Sequence, residues 1–134
     1  MTNLTDKLAP WSDLLGRVLM AAIFVTAGAG KIGGYAATQG YMASMGVPGG
    51  LLPLVILTEL GGGLLIVLGL FTRPAAFALA GFSVVSALLF HGNLADQGQQ
   101  IHFMKNLAMA GGFLLLVGHG AGPLSLDAKW RGRA

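Results

Sequence analysis

LLPLVILTELGGGLLIVLGLF, residues 51–71, carries one charge, Glu59, and places three glycines two residues after it. At about 1.5 Å rise per residue a helical run of this length covers about 30 Å, the thickness of a hydrocarbon core. Three further runs flank it. Residues 14–34 (LLGRVLMAAIFVTAGAGKIGG) hold Arg17 and Lys31 near opposite ends, 74–92 hold no charge, and 101–120 hold Lys105. Apolar and polar residues do not alternate in any of the four, so a lipid-facing barrel is excluded and the expectation is all-α, with four membrane-spanning helices.

Composition agrees: 54% of the 134 residues are hydrophobic and 10% charged, against roughly 25% charged in soluble domains. A water-soluble globule could not cover such a surface, and disorder demands the opposite balance. The absence of cysteine removes disulfides, thiolate nucleophiles and iron–sulfur clusters. The net charge of +3 and pI near 9.7 arise from bases at the membrane edges, so no nucleic-acid partner is implied.

The connections at 35–50, 72–74 and 93–100 are short, which forces consecutive helices antiparallel in an up-down bundle. The chain thus divides into an N-terminal segment (1–13), a four-helix domain (14–122, helices about 14–34, 51–71, 74–92 and 101–120) and a basic tail (123–134). Ala27-Gly28-Ala29 resembles a signal-peptidase site, but the first run is expected to be retained as a span. With the N-terminus cytoplasmic, Lys7, Arg17, Arg73, Lys129, Arg131 and Arg133 lie inside and only Lys31 and Lys105 outside, which predicts both termini in the cytoplasm. Trp11 and Trp130 then sit as interfacial anchors, and membrane lipid is an expected partner.

Glu59 is the most informative residue. It lies about eight residues from the outer end of its run, ~12 Å deep, where a lone carboxylate is costly. Lys105 and Lys31 approach from the same side and are the expected partners, with Arg17 near the other face a poorer one. His102, Lys105, Asn106 and Met109 share one helical side, expected to face inward, and His91 ends the preceding helix at the same level. Glu59, Lys105, Asn106, His91, His102 and Lys31 therefore form a candidate intramembrane polar site. It could pin helices together, bind a headgroup, hydrogen-bond a quinone carbonyl or relay protons. A metal is not expected, because the His and Glu spacing matches no compact ligand motif and a lysine stands nearby. The triple glycine allows close helix packing or leaves room beside the carboxylate for a flat ligand. No flavin, nucleotide or haem-ligating pattern is present.

In order along the chain, RVLMAAIFVTAGAGKI, TELGGGLLIVLGLFTRPAA, FHG and MKNLAMAGGFLLLVGHGAGPLSLD resemble the DoxX family over about residues 13–127. Arg17, Lys31, Glu59, Arg73, Lys105 and Asn106 match that family's polar positions. The resemblance implies a multi-pass protein of the bacterial inner membrane. It also implies a quinone-linked redox or oxidative-stress role, with an oxidoreductase partner subunit or a second copy of the chain as partner and a bound quinone as the ligand to look for. A non-catalytic scaffold or assembly factor for an oxidoreductase complex is the alternative, and whether the chain is an enzyme is left open.

Overall fold

A computed structural model describes residues 3–131, and for Arg131 only the backbone. Four long helices cross in up-down order: α1 (Leu4–Gly33), α3 (Gly49–Leu68), α4 (Thr72–Phe90) and α5 (Gln97–His119). A short α2 (Tyr35–Ser44) lies between the first two, and α6 (Leu126–Arg131) closes the described chain. No strand occurs among the described residues. Both described ends lie at one face of the bundle, called terminal below, and α2 lies at the opposite, distal face. Arg133 falls outside the described residues.

The spans differ at their ends from the expected ones, for local reasons. α1 begins ten residues early because Asn3 and Asp6 form a capping box: Asp6 N–H donates to Asn3 Oδ1 at 2.9 Å and Asn3 N–H to Asp6 Oδ2 at 3.4 Å. Most of the segment 1–13 is therefore helical. α3 stops at Leu68, short of Phe71, because Gly69 turns left-handed (φ 67°). α5 starts at Gln97 because the Asp96 carboxylate accepts the Gln99 N–H at 3.2 Å.

The core follows one stripe per helix. On α1 it is Arg17, Ala21, Phe24 and Gly28, and on α3 Leu52, Glu59, Gly63 and Ile66, both at the three- and four-residue spacing of a single helical face. Phe24 meets Phe113 edge-on at 5.4 Å and Phe82 at 6.3 Å. The two stripes touch through glycine. A Cβ on Gly28 would sit 2.8 Å from the Leu60 nitrogen, and one on Gly63 2.8 Å from a Val25 methyl. Only bare backbone permits that approach. Alanines 75, 76, 80 and 87 give α4 a similarly thin face, against which α5 packs.

The terminal face is tied by one side chain. Arg17, only 1% exposed, donates from Nη1 to the carbonyls of Ile66 (2.9 Å) and Val67 (3.1 Å), and from Nη2 to that of Leu124. The first two belong to the last turn of α3, whose carbonyls have few helical partners of their own. Asp127 completes the corner, its carboxylate accepting the N–H groups of Phe71 (2.9 Å) and Thr72 (3.0 Å) while its own N–H donates to Gly69 O at 2.8 Å. Residues 124–127, which fall within the expected basic tail (123–134), are thus hydrogen-bonded to the bundle.

Candidate functional site

Glu59 lies on an irregular turn in the middle of α3. Residues Leu57–Gly61 form a π-helical turn inside α3, the kind of widening that recurs at functional positions. Its side chain is 6% exposed, and Lys31 Nζ stands 2.7 Å from Oε1. Lys31 continues the α1 stripe one turn beyond Gly28, so the Gly28–Leu60 contact that brings the helices together also sets the two charges opposite each other. Among the described residues Oε1 has no hydrogen-bond partner besides this ammonium. Removing the lysine from such a pair leaves the carboxylate stranded in a poorly solvating interior.

The pair lies at the floor of a cleft of about 390 Å³ between α3 and α4, roofed by α2. Thr58 and Ser86 contribute hydroxyls to its walls, and Thr38, Tyr41 and Met42 descend from the roof. Leu54, Val85 and Leu89 form its rim and are exposed on the apolar perimeter, so the mouth opens toward hydrocarbon. Tyr41 stacks on Phe90 with ring centres 5.5 Å apart and 20° between planes. Met42 is buried, and Gln39 Nε2 donates to Gly49 O at 3.2 Å. These contacts hold α2 over the cleft.

The six residues expected to converge are divided among four places. Lys31, Glu59 and His91 line the cleft. His102 stands outside it and stacks on His91 at 5.0 Å with 29° between rings. Burial, and to a lesser extent the facing His102, hold the His91 imidazole below the ordinary histidine range. Asn106 Nδ2 donates to Ser83 O at 3.2 Å, an α5–α4 tie. Lys105 departs furthest from expectation: it is exposed, lining a shallow depression with Ile101, Met104 and Ala108 on the outer side of α5. The inward side of α5 is set instead by Ala110 and Phe113, since small and aromatic residues fill the α4 face better than an ammonium does, and Lys105 near a helix end can extend toward the surface. The partner of Glu59 is thus Lys31, one of the two expected, and not Lys105.

The space beside Gly62 and Gly63 is filled. Leu79 packs against the first and Val25 against the second, so the opening lies one turn nearer the distal face. Thr38, Tyr41 and Thr58 escaped the sequence reading, for in a sequence they are ordinary polar residues of a connection and a span. Among the described residues no three His, Asp or Glu side chains gather as metal ligands.

The model of the DoxX family matches residues 12–92, which include most of α1, all of α2 to α4 and the whole lining of the cleft. Inner membrane protein YqjF of Escherichia coli K12 is 54% identical over 128 residues, covering 92% of this chain and 98% of the relative. Inner membrane protein YphA of the same organism is 37% identical over 123 residues, covering 87% and 88%. No solved structure matches the chain. The chain belongs to the DoxX family and is a multi-pass inner-membrane protein.

Proposed function

We propose that the cleft is a binding site for a membrane-dissolved, ring-headed redox lipid of the quinone class, and that the protein serves quinone-linked redox or oxidative-stress chemistry as a small membrane subunit. The observation that carries this reading is a buried carboxylate paired with a half-buried lysine at the floor of a cavity whose mouth faces hydrocarbon. A volume of about 390 Å³ lies in the range of small-molecule sites, which combine apolar walls with a few convergent polar groups. The walls suit a flat ring, with Phe82 and the Tyr41–Phe90 stack beside it, while an apolar tail would leave past Leu54 and Leu89 into the bilayer. Lys31 can donate to a ring oxygen, and Glu59 holds the lysine there.

The test is extraction and labelling. Protein purified in a mild detergent is expected to release quinone into organic solvent at a level well above an unrelated four-helix membrane protein prepared in parallel. A photoreactive short-chain quinone is expected to label residues of α2, α3 and α4 around the cleft, and Ser86→Phe, which fills it, should abolish that labelling. Absence of both signals would leave the scaffold reading, which has its own support: α5 buries only 11% of its span residues and so offers a long free face to a partner helix.

The orientation proposed with this function places the terminal face in the cytoplasm, from the excess of lysine and arginine there. The cleft then opens in the outer leaflet. A C-terminal phosphatase fusion should be inactive and one at Gly40 active, and the reverse pattern would invert the assignment.

A further inference from the structure

We infer that the ring the cleft holds most tightly is the hydroxyl-bearing one, a quinol or related phenol that donates a hydrogen bond, and not the quinone. This rests on the reading of the cleft as a ring-headed ligand site and specifies which member of the redox couple fits it. The argument is a balance of donors and acceptors. Thr38 Oγ1 already donates to Gly34 O and Thr58 Oγ1 to Leu54 O, each at 2.9 Å. Toward the cleft each hydroxyl has therefore only lone pairs left to offer. Glu59, paired with an ammonium, is acceptor only, and among the described residues its buried Oε1 has no donor besides Lys31. Against these acceptors at the floor stands one cationic donor, Lys31, itself engaged with the carboxylate, while Tyr41, Ser86 and His91 higher in the lining can each donate or accept and so favour neither form of the ring.

A quinone brings only carbonyl oxygens, so at the floor it competes with Glu59 for Lys31 and offers the carboxylate and both threonines no donor of its own. A quinol hydroxyl reverses this, donating to Glu59 or Thr58 while accepting from Lys31. The charges of the pair cancel, which favours a neutral ligand over a phenolate. A hydrogen bond to a charged acceptor is worth about 1.5–3 kcal/mol, and about 1.4 kcal/mol is tenfold in affinity.

The experiment compares three ligands on the full-length protein under anaerobic conditions: a decyl-substituted hydroquinone, the corresponding quinone, and the dimethyl ether of the hydroquinone. The ether keeps the ring and tail and lacks the donors. The hydroquinone is expected to bind about tenfold or more tightly than either of the others. For a two-electron couple that ratio raises the potential of the bound form by ~30 mV per tenfold. In Glu59→Gln, whose amide both donates and accepts, the preference is expected to fall to about threefold or less. Equal or tighter binding of the quinone and the ether by the wild-type protein would overturn the inference while leaving the cleft a ring site. Failure of all three to bind would remove the ligand reading itself, and this inference with it. The wild-type series decides the matter even if the variant does not fold.

Discussion

Replacing Arg17 by Met is expected to lower the thermal midpoint of the detergent-solubilised protein by roughly 10–20 °C, the equivalent of about 3–5 kcal/mol in a chain of this size. The side chain is fully buried and serves three carbonyls on two separate segments, Ile66 and Val67 at the end of α3 and Leu124 in the loop after α5. Methionine fills the volume and supplies no donor, so the carbonyls are left without the guanidinium in a site closed to water. Two acidic residues are also affected, because Asp13, one turn earlier on α1, and Asp127 both attract the guanidinium. Loss of the Leu124 contact frees the loop that presents Asp127 to the start of α4, so cleavage near residues 120–124 by a protease should rise as stability falls. Arg17→Lys is expected to lie between the two, since a single ammonium keeps the charge and cannot reproduce the fork geometry. A midpoint within about 2 °C of wild type for the Met variant would mean that the corner holds without the arginine.

The four spans were legible because a hydrocarbon core demands about 20 apolar residues and little else does. Their ends were less so, since each is decided by a cap a few residues outside the apolar run, such as Asn3 with Asp6 or Gly69 in its left-handed turn. Arg17 shows the harder limit. In sequence it reads as an interfacial base near the end of a span, and the carbonyls that turn it into an internal cap lie 49 and 107 positions away. Lys31 was nearly as well placed as Lys105 to pair with Glu59, because each lies near the distal end of its helix. The choice between them was made elsewhere, by Gly28 admitting Leu60 on one side and by Ala110 and Phe113 turning α5 on the other. The π-helical turn at Glu59 and the helical form of residues 35–44 have no cap signature of their own; they answer to packing that a linear pattern does not encode.

Lys31→Met is expected to destabilise the protein more than Glu59→Gln, and the double variant to recover part of the loss. The asymmetry comes from reach and exposure. Lys31 is two residues from the end of α1 and its side chain is 28% exposed, so without Glu59 it can turn its ammonium to the distal surface. Glu59 is in the middle of α3 with a side chain 6% exposed, and without Lys31 it has no such escape. It must remain charged in a poorly solvating site or take up a proton. Protonation sets the ceiling. Neutralising a carboxyl of ordinary acidity at pH 7 costs about 3.7 kcal/mol, from a reference pKa near 4.3 and 1.36 kcal/mol per unit. The Lys31→Met loss should therefore approach but not exceed that figure at neutral pH, and Glu59→Gln should cost about 1 kcal/mol. The sign with pH follows directly. A carboxyl held neutral in the folded variant is penalised only while the unfolded chain ionises, so the deficit shrinks as pH falls toward the unfolded value. Unfolding by heat or SDS at pH 7 and pH 5 would measure it, and a coupling of about 1–3 kcal/mol is expected from the four-variant cycle. Additive losses with no dependence on pH would mean that the two charges are neighbours without being partners, and the floor of the cleft would then have to be explained by the glycine contacts alone.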